Sequence, residues 1–249
     1  MEGGDEVDLR GFTLTYTIAA GVGVCLVSLM VVWLEHFRGG FAWSSSPGLQ
    51  FNWHPLLMTL GMVFIYGNAI LIYRVFRTER KRYLKIGHAC VNALAFVLGV
   101  VGLRAVFEFH NAKGIPNVYS LHSWLGIIVM IIFAEQLLFG LTFFLFPTVR
   151  PTLRTRYLSI HTTVGLGGFG LACVTALLGL MEKTFFVLVD PKLPENHQYK
   201  ALPAEGMLVN MIGMLIVIFG ILVLTLVGLR RYRRIPVTED EMLLTEAIN

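Results

Sequence analysis

The sequence predicts an all-α membrane protein of six transmembrane helices. Apolar residues make up 55% of the 249 positions and charged residues only 14%, whereas a soluble domain is about one-quarter charged. The mean hydropathy is +0.69. Six uncharged or nearly uncharged runs each approach the roughly 20 residues that cross about 30 Å of hydrocarbon as a helix. A soluble globule of this length would lack a polar skin. Low charge, three cysteines and no Gly-X-Y period exclude disordered, disulfide-scaffold and collagenous chains.

The runs follow one another with short loops. Residues 11–34 form the first; 51–73 the second, ended by Arg74; 86–103 the third. Residues 119–146, broken only by Glu135, form the fourth, 157–181 the fifth and 206–229 the sixth. The first is too long for a signal peptide and its flank, residues 1–10, is acidic rather than basic, so it reads as a retained helix. Cys25, Cys90 and Cys173 lie singly in apolar runs. With no C-x-x-C or C-x-x-C-H, they read as packing residues and give no covalent haem attachment.

Lysine and arginine set the orientation. With both termini cytosolic, 14 of the 20 basic residues fall on the cytosolic side. Residues 1–10 are then a cytosolic N-terminus, 11–234 one six-helix domain and 235–249 a cytosolic tail.

Four of the seven histidines mark helix ends. His54 opens the second run, His88 the third, His122 the fourth and His161 the fifth, each about one crossing and a loop after the last. They therefore alternate sides: His54 and His122 near the non-cytosolic surface, His88 and His161 near the cytosolic one. Ionisable residues inside a membrane are costly and mark functional sites. Two imidazoles at one depth on facing helices suit bis-histidine ligation of haem iron, and two such sites form an electron wire. A zinc or proton pathway through histidine pairs, or simple packing, also satisfies the spacing.

Longer motifs surround these residues. They are Phe-Asn-Trp-His-Pro-Leu at 51–56, Ala-Ile-Leu-Ile-Tyr-Arg-Val-Phe-Arg at 69–77 and Tyr-Ser-Leu-His-Ser-Trp at 119–124. Thr-Ala-Leu-Leu-Gly-Leu at 175–180 and Pro-Ala-Glu-Gly at 203–206 complete the set. On these motifs the chain resembles the cytochrome b561 family of transmembrane ascorbate-dependent reductases over nearly its whole length. The resemblance implies a central bundle of helices two to five holding two non-covalent b haems, with the first and sixth helices outside. It pairs His54 with His122 and His88 with His161. It further implies cytosolic ascorbate as donor, monodehydroascorbate or ferric iron as non-cytosolic acceptor, and a homodimer. Nothing points to nucleic acid.

The loop at 74–85 carries six positive charges in twelve residues. Such a loop orients the chain and attracts anionic lipid. A subset also has the geometry to grip an anionic reductant. Lys85 and Lys81 lie three and seven residues before His88, on or near the ligand's face, and Arg154 lies seven before His161. The resemblance assigns Arg74, Lys81, Lys85 and Arg154 to the cytosolic ascorbate site; Arg77, Arg80 and Arg82 read as topology and lipid charges. On the other face it assigns His110, read as a loop residue after the third helix, with Phe109, Asn117 and Tyr119, to the non-cytosolic substrate site. His36 and His197 read as loop residues.

Gly165-Leu-Gly-Gly-Phe-Gly170 fits the dinucleotide pattern but lies within an apolar helix with no preceding strand. Small residues there let a macrocycle or a neighbouring helix approach. Glu135 reads either as a proton-coupled group or, preferably, as snorkelling toward the cytosolic interface, and Arg104 departs from the apolar residue that the family resemblance leads one to expect there. Residues 74–82, 143–147 and 153–157 lean toward the chromaffin-granule branch of the family. Residues 38–43, and Glu239, Leu243 and Leu244 as an acidic dileucine, lean toward the lysosomal branch. The location expected is a secretory-granule membrane, or else a late endosome or lysosome. A histidine-relay transporter and a haem-binding anchor for a soluble enzyme are the rival readings.

Overall fold

A computed structural model describes residues 11–43, 45–145 and 149–233. Arg10, Arg234 and the dileucine residues Glu239, Leu243 and Leu244 lie outside them. Among the described residues six helices are long and apolar enough to cross a membrane: α1 (Phe12–Phe37), α2 (Pro47–Val75), α3 (Lys81–Lys113), α4 (Leu121–Leu145), α5 (Pro151–Leu188) and α6 (Ala204–Gly228). Among the described residues there is no strand.

The helices outrun the apolar stretches that predict them. Hydropathy marks the hydrocarbon layer, whereas backbone hydrogen bonding continues until a residue stops it. The third helix runs on to Lys113 and stops at Gly114, whose φ of 65° is left-handed. Phe109 and His110 therefore occupy its last turns, correcting the loop placement. Likewise His36 belongs to the π-helical end of α1, Trp33–Phe37. The 38-residue helix containing Pro151 rises about 57 Å, well beyond the membrane core.

Helices α2 to α5 pack together, while α1 lies along α6, which in turn packs on α5 and α2. Leu94, Val97, Ile131, Leu138 and Ile221 are exposed on the outer surface, where lipid rather than water is the solvent. Glu135 is exposed too, on the outside of the bundle. Arg104 lies on the outer face of α3, pairs with Glu108 at 2.6 Å and sits 5.8 Å over the Trp43 ring.

An aromatic layer crosses the middle of the bundle. The Tyr66 ring meets Phe133 at 4.6 Å and Phe169 at 5.5 Å, and Phe96 stacks on Phe133 at 6.3 Å. The Tyr66 hydroxyl donates to the Gly165 carbonyl at 2.7 Å. A Cβ on Gly168 would stand 3.2 Å from that hydroxyl. Within the glycine run at 165–170, Gly168 thus serves close helix packing, whereas a Cβ on Gly167 or Gly170 would meet nothing within 4 Å.

Candidate functional site

Local sequence signals place each histidine. Ser120 caps α4 in a capping box with Ser123, which fixes His122 in the first turn. Asn52 donates to the carbonyls of Arg38 and Gly40, anchoring the turn before His54. The four imidazoles then form two pairs across the bundle. His54 and His122 have ring centroids 6.0 Å apart, and His88 and His161 stand 6.2 Å apart.

Three of the rings are oriented by the backbone. The Nδ1–H of His54 donates to the Gly102 carbonyl at 3.1 Å, that of His88 to Ala69 at 2.9 Å, and that of His122 to Thr175 at 2.9 Å. A carbonyl only accepts, so in each case Nδ1 carries the proton and Nε2 keeps its lone pair for a metal. His161 Nδ1 is buried with no partner.

The same bonds measure the spacing between pairs. Gly102, at the level of His54, is 14 residues along α3 from His88; Thr175, at the level of His122, is 14 residues along α5 from His161. Two helices thus agree on a separation of about 21 Å along the bundle.

Whether these pairs fit a haem is a question of distance and room. One iron between two imidazoles, with bonds of about 2.0–2.1 Å and roughly 1.1 Å from nitrogen to ring centre, sets the centroids about 6.3 Å apart. Both pairs lie within a few tenths of an ångström of that. A Cβ on Gly179 would stand 2.5 Å from His122, and one on Gly140 would stand 3.2 Å from His161, so glycine clears space beside each pair. A cavity of about 500 Å³ opens at His54 and His122, within the range of sites that enclose organic cofactors. Among the described residues no three His, Cys, Asp or Glu side chains converge on a metal position. Those residues therefore form no closed zinc site, which needs four ligands.

The cavity continues outward to the predicted non-cytosolic residues. Phe109, His110, Asn117 and Tyr119 all line it. The His110 ring stands 5.6 Å from Phe109 and 6.3 Å from Tyr119, and Asn117 donates to Asn111 at 2.8 Å. Partial burial, and then the Glu182 carboxylate, push the Tyr119 phenol above its ordinary pKa, so it stays a hydrogen-bond donor at neutral pH.

The four cations predicted for the cytosolic side are less tightly gathered. Arg74 turns to α6, its Nη2 donating to the Val227 carbonyl at 2.7 Å, while its Nη1 is buried without a partner. Lys81 opens α3, with Lys85 one turn later; Arg154 is in the first turn of α5. Lys85 is about 4.5 Å, and Lys81 and Arg154 about 10.5 Å, along the axis from the histidine of the same helix. Arg77, set aside as a lipid charge, stacks on Phe12 at 4.2 Å.

Several site residues escape a reading of motifs alone. Lys183 and Glu182 line the cavity with Phe51 and Ser120, and Tyr157 and Phe144 flank His161 at 6.0 and 5.3 Å. A signal for Lys183 does exist. Thr175, Gly179 and Lys183 recur every four residues, placing the lysine on the stripe that faces His122.

The four histidines also fall within the span matched by the family model for eukaryotic cytochrome b561, residues 53–187. The chain belongs to the cytochrome b561 family. It is 46% identical over 224 residues to the transmembrane ascorbate-dependent reductase CYB561 of Sus scrofa, covering 90% of this chain and 85% of that protein. Identity to the CYB561 of Homo sapiens is 42% over 245 residues, 98% and 94% of the two chains. The plasma membrane ascorbate-dependent reductase CYBRD1 of Mus musculus is 41% identical over 227 residues, 90% and 76%. Membership implies haem b as the cofactor.

Proposed function

We propose that this protein is a transmembrane ascorbate-dependent reductase, taking electrons from cytosolic ascorbate and delivering them to an acceptor at the opposite face. The observation that carries this reading is the pair of histidine pairs, each at the spacing of one iron and about 21 Å apart along two helices. Bound between the rings of each pair, a b-type haem supplies reversible one-electron chemistry, and two of them supply a path for the electron between leaflets.

The remaining work belongs to the chain. His88 and His161 hold the cytosolic position, and His54 and His122 the non-cytosolic one. The carbonyls of Ala69, Gly102 and Thr175 fix ring orientation and leave Nε2 as the ligand atom. The aromatic layer around Tyr66 and Phe133 keeps water from the middle of the bundle. Arg74, Lys81, Lys85 and Arg154 attract the ascorbate monoanion, which gives up one electron and one proton to become monodehydroascorbate; the proton leaves to the cytosol. Across the membrane, Phe109, His110, Asn117 and Tyr119 receive the acceptor, monodehydroascorbate or ferric iron.

A histidine relay for protons fits this geometry poorly. Three Nδ1 protons end on peptide carbonyls, which cannot pass a proton onward. On the family resemblance we place the protein as a homodimer in a secretory-granule membrane. The dileucine at Glu239, Leu243 and Leu244 favours an endosomal or lysosomal membrane as the second location.

Sealed vesicles with ascorbate on the cytosolic face test this reading. Wild-type protein is expected to reduce an acceptor on the far face, and His88→Ala to abolish rapid reduction by ascorbate. Normal kinetics in His88→Ala would refute the assigned path.

A further inference from the structure

We propose that Arg104, Trp43 and Trp53 form a site for one phosphocholine lipid headgroup in the leaflet on the His54 side. None of the three lines the cavity at His54 and His122. Depth is the first argument. Gly102 is level with His54, and Arg104 lies about 3 Å further along α3. It is the first charge after the apolar run 86–103. That is the edge of the hydrocarbon, where lipid phosphates begin and tryptophan collects.

Hydrogen-bond donors at this depth are unspent. The Arg104 side chain is 68% exposed, and its Nε donates to Glu108 at 2.6 Å. Among the described residues its two terminal nitrogens have no partner, nor does the indole N–H of Trp43. A guanidinium turned toward lipid is costly unless polar groups meet it. Its planar fork matches the oxygens of a phosphate.

Charge and ring placement select the rest of the headgroup. Glu108 offsets Arg104, so the cluster carries no net charge that would favour an anionic lipid. The Trp43 ring lies 5.8 Å from the guanidinium carbon, a gap that the short linker of phosphocholine spans. Trp43 stands 6.5 Å from Trp53, and Trp53 stands 4.7 Å from Phe41, forming a partly exposed aromatic wall. The Trp53 indole is fixed by donating to the Ala42 carbonyl at 3.1 Å. Aromatic faces attract quaternary ammonium ions. A primary ammonium needs acceptors instead, and both Glu108 oxygens are taken, Oε1 by Arg104 and Oε2 by the buried Gln50. Phosphatidylcholine therefore fits better than phosphatidylethanolamine or phosphatidylglycerol.

Native mass spectrometry tests this on full-length protein released from micelles holding equal amounts of those three lipids with identical acyl chains. Wild type is expected to retain one phosphatidylcholine per chain, with about tenfold preference over either other lipid. Arg104→Leu should lower its retention about tenfold. Trp43→Leu should erase the preference for phosphatidylcholine over phosphatidylethanolamine while both still bind. Haem absorbance and oligomeric state should be unchanged in both variants. Equal retention of the three lipids by wild type, which needs no variant to fold, would overturn the assignment. So would unchanged retention in Arg104→Leu. Glycerophosphocholine carries the headgroup without acyl chains; if it displaces the lipid, the assignment to a membrane ligand falls. A change of oligomeric state in Arg104→Leu would give this face to a second copy of the chain and overturn the lipid site as well.

Discussion

Gly179 stands directly against His122: a Cβ on the glycine would fall 2.5 Å from the imidazole Cε1 and within 2.9 Å of both ring nitrogens. The contact ties a small residue on α5 to the orientation of the His122 ring on α4. Gly179→Ala must displace the ring from its bond to Thr175. The expected outcome is loss of about half the b-type absorbance, from the non-cytosolic pair, with ascorbate still reducing the rest. A reduced-minus-oxidised spectrum of the purified variant checks this.

Tyr66 joins α2 to α5 through one hydrogen bond at mid-membrane. Tyr66→Phe keeps the ring and its aromatic contacts and removes only that bond. Thermal unfolding in detergent should show a loss of about 0.5–1.5 kcal/mol, with haem content unchanged.

Glu205 is buried, with its side chain 9% exposed, and pairs with Arg38 and Trp33. Removing the carboxylate charge leaves the guanidinium partly buried and unmatched, and Arg38 Nε is already without a partner. Glu205→Gln should therefore destabilise by about 3 kcal/mol. The double variant Arg38→Met, Glu205→Gln should cost less than Glu205→Gln alone, as measured by unfolding midpoints in a double-mutant cycle.

The cytosolic cations separate into two groups. Lys85→Ala and Arg154→Ala should each raise the KM for cytosolic ascorbate severalfold. Arg80→Ala and Arg82→Ala should leave it within about twofold. Stopped-flow reduction by ascorbate at two salt concentrations measures both, and the difference should narrow at high salt.

Much of this arrangement is legible in the sequence because membranes impose strong rules. Lipid demands apolar runs of fixed length, and the four histidines interrupt those runs at regular intervals. Helix ends are less legible: hydropathy fades in the headgroup layer while hydrogen bonding continues, so His110 and His36 read as loop residues yet lie in helices. Lys183 is visible as a charge, but its place in the cavity depends on the stripe through Thr175 and Gly179. The Trp33–Glu205–Arg38 cluster joins residues more than 160 positions apart, and no local pattern in the sequence announces it.

The most direct test of the account is a haem count. Purified protein treated with ascorbate should show the sharp reduced bands of a b-type cytochrome, with two haems per chain by pyridine haemochrome assay. His122→Ala should leave one, held by His88 and His161. Absence of haem absorbance, or an undiminished count in His122→Ala, would contradict the two-pair arrangement.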